Sequence, residues 1–232
     1  MWTLWLAAAL AAPTAWPERA WHIDLLARTD FPIDVGLALD VETPQRLRFG
    51  LGLGLVPGPY LRAIDGIAVA AGWYDQPTAD LIEDTVTGAL TLHPVIGVRP
   101  LAKEGFVLDA GFKLALLGGR NTTAGLVSTL TGQTIPDGGG DDARELRAGA
   151  LLGMVTVRVG WVWEPVDRLA IRFDIGGNFT VSSTSQIRAP EGAVFPAAWE
   201  PLTRAGEVYL DETFTRWVHT PTIGIGVGWR AR

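Results

Sequence analysis

From Trp21 onward, apolar and polar residues alternate with a period of two, which marks strands whose two faces meet different surroundings. The longest run, 169–182, sets Leu169, Ile171, Phe173, Ile175, Phe179 and Val181 against Ala170, Arg172, Asp174, Gly176, Asn178, Thr180 and Ser182. Near the C-terminus, Ile223, Ile225, Val227 and Trp229 alternate with Thr222, Gly224, Gly226, Gly228 and Arg230. Further runs occupy 31–40, 47–55, 90–99, 106–114 and 155–163, and a weaker one 21–28. Together they predict eight strands, most about ten residues long, the length that crosses a bilayer when tilted.

The connections alternate in length. Segments 42–45, 100–104 and 164–167 are tight turns, whereas 57–87, 119–148 and 184–210 are long. Short turns on one side and long loops on the other predict an all-β, closed antiparallel transmembrane barrel, with the short turns periplasmic and both termini on that side. The first outer connection, near 28–30, is short. Two of the long loops are expected to be partly helical. Within 57–87, helical spacing joins Tyr60, Leu61, Ile64 and Ile67, then Leu81, Ile82 and Val86, with Asp75 or Thr78 as a cap. Pro94 and Pro221 lack the amide a closed ladder needs, so bulges are expected there.

Period two does not say which face looks inward. Volume decides first: the apolar faces carry too many large side chains for the narrow bore of eight strands, while the other face is rich in Gly. Aromatic placement agrees. Trp21, Phe49, Phe106, Trp161, Trp163 and Trp229 fall near the short turns, and Phe31, Phe179 and Trp217 near the long loops, as in two interfacial belts. Charge agrees as well. Asp24, Asp34, Asp40, Arg48, Arg99, Asp109, Lys113, Arg158, Arg172, Asp174 and Arg216 share the Gly face, so a structural network of paired charges is expected in the lumen.

Composition fits one barrel domain. Of 232 residues, 48% are hydrophobic, yet no eighteen-residue apolar stretch follows the N-terminus, so helical spans are not expected. Residues 1–15 form a short apolar run with Ala9-Leu10-Ala11 suited to cleavage. They read as a signal peptide that leaves 16–232 as the barrel. A formal charge of −6 without a basic stripe argues against nucleic acid as partner. Without cysteine the fold uses no disulfide or thiolate metal site. The Asp137-Gly138-Gly139-Gly140-Asp141-Asp142 run lacks the spacing of a Ca²⁺ loop and reads as a solvated tip. No metal or cofactor is expected.

The pattern resembles the Gram-negative outer-membrane β-barrel class from Trp21 to Trp229. Pro57-Gly58-Pro59-Tyr60, Arg99-Pro100 with Gly105-Phe106, and Tyr209-Leu210-Asp211 resemble motifs of small outer-membrane barrels of uncharacterised type. The resemblance implies location in the bacterial outer membrane, with membrane lipids and the barrel-assembly machinery as partners. It departs in ending Trp229-Arg230-Ala231-Arg232, where such barrels usually end on an aromatic residue.

The expected role is therefore non-enzymatic: a closed scaffold displaying outer loops for envelope integrity or for binding, the loop partner being unspecified. An outer-membrane lipid or peptide hydrolase is the alternative, with His93 and His219 as candidate catalytic groups and His22 as a lumen histidine. Such an enzyme needs an activated nucleophile and an oriented base, which no local motif supplies. A soluble lipocalin-like carrier is the third reading and requires the opposite face assignment.

Overall fold

The computed structural model describes residues 21–101, 105–136, 145–190 and 196–231. The proposed signal peptide, and the acidic run except for its neighbour Pro136, lie outside them. Eight strands follow in chain order: β1 (His22–Phe31), β2 (Asp34–Glu42), β3 (Leu47–Leu55), β4 (Leu90–Val98), β5 (Phe106–Thr123), β6 (Glu145–Val166), β7 (Leu169–Arg188) and β8 (His219–Ala231). Each pairs antiparallel with its sequence neighbours, and β8 pairs with β1, so the sheet closes into a barrel.

Burial follows the parity of the sequence. In β1, His22, Asp24 and Leu26 are buried, while Ile23 and Leu25 are 43% and 56% exposed. The outer surface carries Leu37, Leu53, Val157, Ile175 and Val227, all exposed, as a continuous apolar band. An apolar exterior around a polar interior inverts a soluble barrel, and it suits hydrocarbon outside. The lipocalin-like alternative has the wrong face outward. Among the described residues no helix is long and apolar enough to cross a membrane.

Glycine on the inner face gives the bore its capacity. A Cβ on Gly50 would stand 2.5 Å from the Asp40 carboxylate, and one on Gly52 would stand 3.2 Å from the Arg28 guanidinium. These positions leave space that charged side chains from neighbouring strands fill.

The barrel has two storeys. β1 to β4 are nine or ten residues long, whereas β5, β6 and β7 run to 18, 22 and 20 residues and rise past them as a three-stranded wall. Such a wall has two bare edges, which natural sheets cover. Helix α2 (Gln76–Val86) packs on β5, and α4 (Glu200–Trp217) lies along β7. The Glu207 carboxylate accepts from the Ile187 amide at 2.9 Å, which satisfies an edge N–H that β8 does not reach. Helices α1 (Gly58–Ala70) and α3 (Ala124–Thr131), with a 3₁₀ turn (Pro196–Trp199), complete the cap. Pro59, Pro77 and Pro201 sit in first helical turns, where a missing amide costs nothing. Asp75 caps α2, accepting from the Thr78 amide at 3.1 Å.

Inside the cap the wall's inner face turns apolar. Ala115, Leu117, Leu146, Ala148, Leu152 and Ile187 meet Leu61, Ile82, Val127, Leu202, Leu210 and Phe214 in one buried cluster. This core resembles that of a soluble domain, built on top of a membrane barrel.

Several expectations are corrected here. All three long loops are helical, not two, and the strands beside them continue into segments read as loop. Their ladders contain register shifts between Leu117 and Arg120 and between Gly153 and Met154, which break strict alternation. Pro94 and Pro221 produce no shift. Pairing skips His93 and Pro94 on the β5 side and resumes in register, while Pro221 lies beyond the end of β1, paired with β7 alone. Arg216 is exposed in the last turn of α4, outside the lumen, because helix α4 continues through Trp217 where alternation had extended the final strand. Trp217 accordingly ends a helix.

Two storeys imply separable stabilities. Phe214→Ala should cost about 3–5 kcal/mol in the cap core. Hydrogen exchange should quicken across α4 while the boiling-dependent gel mobility of the lower barrel is retained; simultaneous loss of both would show one cooperative unit.

Candidate functional site

The bore is the most chemically distinctive part of the lower barrel. Its side chains come from all eight strands, because every strand turns its polar parity inward. Near the short turns, Asp24 takes both Arg230 Nε and an Arg230 terminal nitrogen at 2.7 and 2.6 Å, and Glu42 takes Arg99 at 2.5 Å. Arg230 also lies 3.4 Å from Glu164, a residue of the neighbouring β6–β7 end.

Above them Arg172 is a three-way hub. It donates to Asp40 at 2.9 Å, to Asp174 at 3.0 Å, and to Asp109 in a shorter contact. Arg48 reaches Asp40 at 3.0 Å and Asp109 at 3.7 Å. In the next tier Lys113, with no exposed surface, bridges Asp30 at 3.0 Å and Asp34 at 2.7 Å. Arg158 and Arg28 converge on the same Asp30 oxygen at 2.5 and 2.6 Å, and Arg158 lies 3.7 Å from Asp174. Thr91 donates to Asp34 at 3.0 Å.

Chains of alternating sign thus run from β1 across to β7. Asp24, Asp34, Asp40, Arg48, Arg99, Asp109, Lys113, Arg158, Arg172 and Asp174 all lie in this bore, each under 10% exposed. Arg28, Asp30, Glu42 and Arg230 belong to it too, although the candidate set omitted them. Parity alone marks them: Arg28 and Asp30 share a face with Asp24, Glu42 with Asp34 and Asp40, and Arg230 with Gly224, Gly226 and Gly228. Between the tiers only about 10 Å³ of open space remains beside Arg28, Asp40 and Arg172. A water needs a cavity of about this size.

His93 sits at the centre, 1% exposed, with Nδ1 at 2.9 Å from an Arg28 nitrogen and Nε2 at 2.9 Å from the Thr156 hydroxyl. A hydroxyl beside an imidazole is a nucleophile–base geometry, and here both groups are enclosed, Thr156 also being 1% exposed. His22 is buried at the short-turn end. His219 is exposed on the outer face with its ring 6.1 Å from that of Phe179. The three histidines are far apart in role and position. Among the described residues, no group of three or more His, Asp or Glu side chains is arranged to hold a metal.

Outside the bore, Trp21, Phe49, Trp161 and Trp229 are exposed toward the short-turn end, where Phe106 packs edge-on against Trp161 with centroids 5.0 Å apart. Trp163 lies there as well, partly covered. At the opposite rim Phe31 and Phe179 are exposed, and Tyr60 of α1 stands edge-on to Phe31 at 5.0 Å while its hydroxyl meets Thr29 at 2.9 Å.

Among the described residues the cap holds one buried acid. Asp65 of α1 accepts from the Tyr74 hydroxyl at 2.6 Å, while its second oxygen has no hydrogen-bond partner. Burial raises the Asp65 carboxyl above its ordinary range; the Tyr74 bond opposes this and Glu83 and Asp80 add to it. Burial and Asp65 together raise the Tyr74 phenol.

No protein family and no curated protein matches the chain in sequence. In architecture it is similar to a major outer membrane protein from Thermus thermophilus, with 13% identity, coverage of 91% of this chain and 100% of that one, and a TM-score of 0.42. It is also similar to CarO of Acinetobacter baumannii, with 10% identity, coverage of 90% and 96%, and a TM-score of 0.39.

Two outcomes follow from this geometry. Lys113→Met removes the close cation of Asp34, leaving it Arg28 at 4.0 Å beside the Asp30 carboxylate, and should destabilise the barrel by about 3–5 kcal/mol. The temperature of the SDS gel-mobility shift should fall, and Lys113→Met with Asp34→Asn should recover part of the loss; equal temperatures for all three proteins would deny the bridge any role. Asp65 has a raised folded pKa, so its contribution to the cap is full below its ordinary value of 3.8 and lost as pH rises through the raised one. Asp65→Asn should therefore slow hydrogen exchange in α1 and α2 at pH 7 and flatten its pH dependence above pH 4. Faster exchange at pH 7 would show that the charged form is favoured.

Proposed function

We propose that this chain is a cell-surface scaffold of the bacterial outer membrane, whose ion-filled barrel carries a folded helical cap for contact with partners outside the cell. The observation that carries this reading is the cap core. Phe214, Leu202, Leu146 and Val127 are each no more than 1% exposed, which is a packing standard that a passive loop does not need. Its outer surface nevertheless leaves Ile67, Trp73 and Val208 exposed at 63%, 49% and 52%. Large apolar groups on a well-packed support favour binding over a purely mechanical role in the envelope.

Lipids are the barrel's permanent partner along the apolar band, and the assembly machinery is the transient one that closes β8 onto β1. The bore favours a scaffold over a channel because buried charge pairs fill it. The hydrolase reading has a single supporting contact, Thr156 with His93, and that contact is enclosed.

The absence of cysteine makes a direct test available. Ile67→Cys and Val208→Cys should react with a membrane-impermeant maleimide on intact cells, whereas Asp167→Cys, in a short turn, should react only after lysis. Labelling of Asp167→Cys alone on intact cells would invert the orientation and remove the cap from the cell surface. In planar bilayers the purified protein should give no stable conductance steps; a reproducible open level would make it a pore.

A further inference from the structure

We infer that the open groove between α3 and α4 takes an extended segment of a partner polypeptide, with an acidic, an apolar and a basic residue at successive alternate positions. The inference rests on the outward-facing cap proposed above and names its contact surface and the chemistry of the partner. The groove has a volume of about 450 Å³. Leu130 lines it from α3, and Arg204, Ala205, Val208, Tyr209 and Glu212 line it from α4.

Helix α4 buries one side in the cap core through Leu202, Leu210 and Phe214. The opposite side carries Arg204, Val208 and Glu212, all exposed. Four-residue spacing sets these three in a row along the helix, about 6 Å apart. The guanidinium at one end and the carboxylate at the other are too far apart to pair with each other. Neither enters an ion pair among the described residues.

The walls of the groove are fixed. Thr78 of α2 donates its hydroxyl to Asp75 at 2.6 Å and therefore accepts from the Tyr209 hydroxyl, 2.8 Å away. Leu130 packs against the cap core. A wall already held in place loses little conformational freedom when a ligand arrives.

Charge selects the occupant. An anionic lipid headgroup or a polyanion meets Arg204 but is repelled by Glu212, and a polycation meets the reverse. A polypeptide carries both signs on one chain. In an extended segment alternate side chains point the same way and stand about 6.6 Å apart, which matches the row on α4. An acid can thus face Arg204 while an apolar residue covers Val208 and Leu130 and a base faces Glu212. A groove of this volume admits a row of side chains, not the girth of about 10 Å of a whole helix.

Fluorescence anisotropy tests this with a labelled, end-blocked peptide of core order Glu-Thr-Leu-Thr-Arg, titrated with the detergent-purified full chain. Binding should saturate, and Glu-Thr-Leu-Thr-Glu should bind about tenfold more weakly. Arg204→Glu should weaken the first peptide about tenfold, and Arg-Thr-Leu-Thr-Arg should recover that loss. Glu212→Arg with Glu-Thr-Leu-Thr-Glu is the mirror experiment. Both positions are exposed, and the boiling-dependent gel shift shows whether each variant folds. No saturable binding by the wild type, or peptide affinities that neither folded variant changes, overturns the groove. A wild-type dimer that Arg204→Glu converts to monomer gives the groove to a second copy and overturns the peptide. Failure of Val208→Cys to label on intact cells removes the outward-facing cap itself, an outcome distinguishable from these.

Discussion

A strand in hydrocarbon has nowhere to put a backbone N–H or C=O except against another strand, so the sheet must close on itself. Closure with eight strands sets a bore too narrow for an aqueous channel and too wide to be left empty. The rest of the lower barrel answers that constraint. Large apolar residues are displaced to the exterior, where lipid receives them. Charged side chains fill the interior, and glycine at Gly50 and Gly52 supplies the volume they occupy.

Filling the bore with ions does not make the barrel more stable than an apolar filling of the same shape would. Desolvation of buried charges offsets most of their attraction, and the gain shows only when one partner is removed. What the network offers is register. Arg172 touches Asp40 on β2, Asp109 on β5 and Asp174 on its own strand, and slipping any of them by one residue would carry a charge to the lipid side. Lys113 does the same for β1, β2 and β5 one tier higher.

Above the membrane the constraint relaxes and the architecture changes with it. Water is available to outer surfaces, so β5, β6 and β7 can rise as an open wall provided their edges are covered. Helices α2 and α4 do this, and in doing so they create a dry interior that the wall's inner face fills with alanine, leucine and isoleucine. The same strands are thus polar inside below and apolar inside above. The register shift near Val181 marks the join on β7, re-aiming every side chain above it.

How much of this was legible depended on how the two faces contrast. Below the join, alternation between apolar residues and Gly or charge is strong, and the strand count, the inward face and the lumen residues all followed from it, since parity is a covalent property of an extended chain. Residues 145–154 lack that contrast: Leu146, Ala148, Ala150 and Leu152 face in, but Leu151 beside them faces out, so nothing in the pattern distinguished strand from loop. Arg216 was misplaced for a related reason, because a few residues of alternation before a strand are equally compatible with the last turn of a helix. The partners of each charge were also beyond reach. That Lys113 meets Asp30 and Asp34, or that Arg188 stands opposite Arg147, depends on strand tilt, stagger and the bulge, which local sequence does not encode. The chain by itself determined a closed barrel and which way its residues point; tertiary structure alone decided which residues meet, because contact between strands is set by register and register by the whole closed sheet.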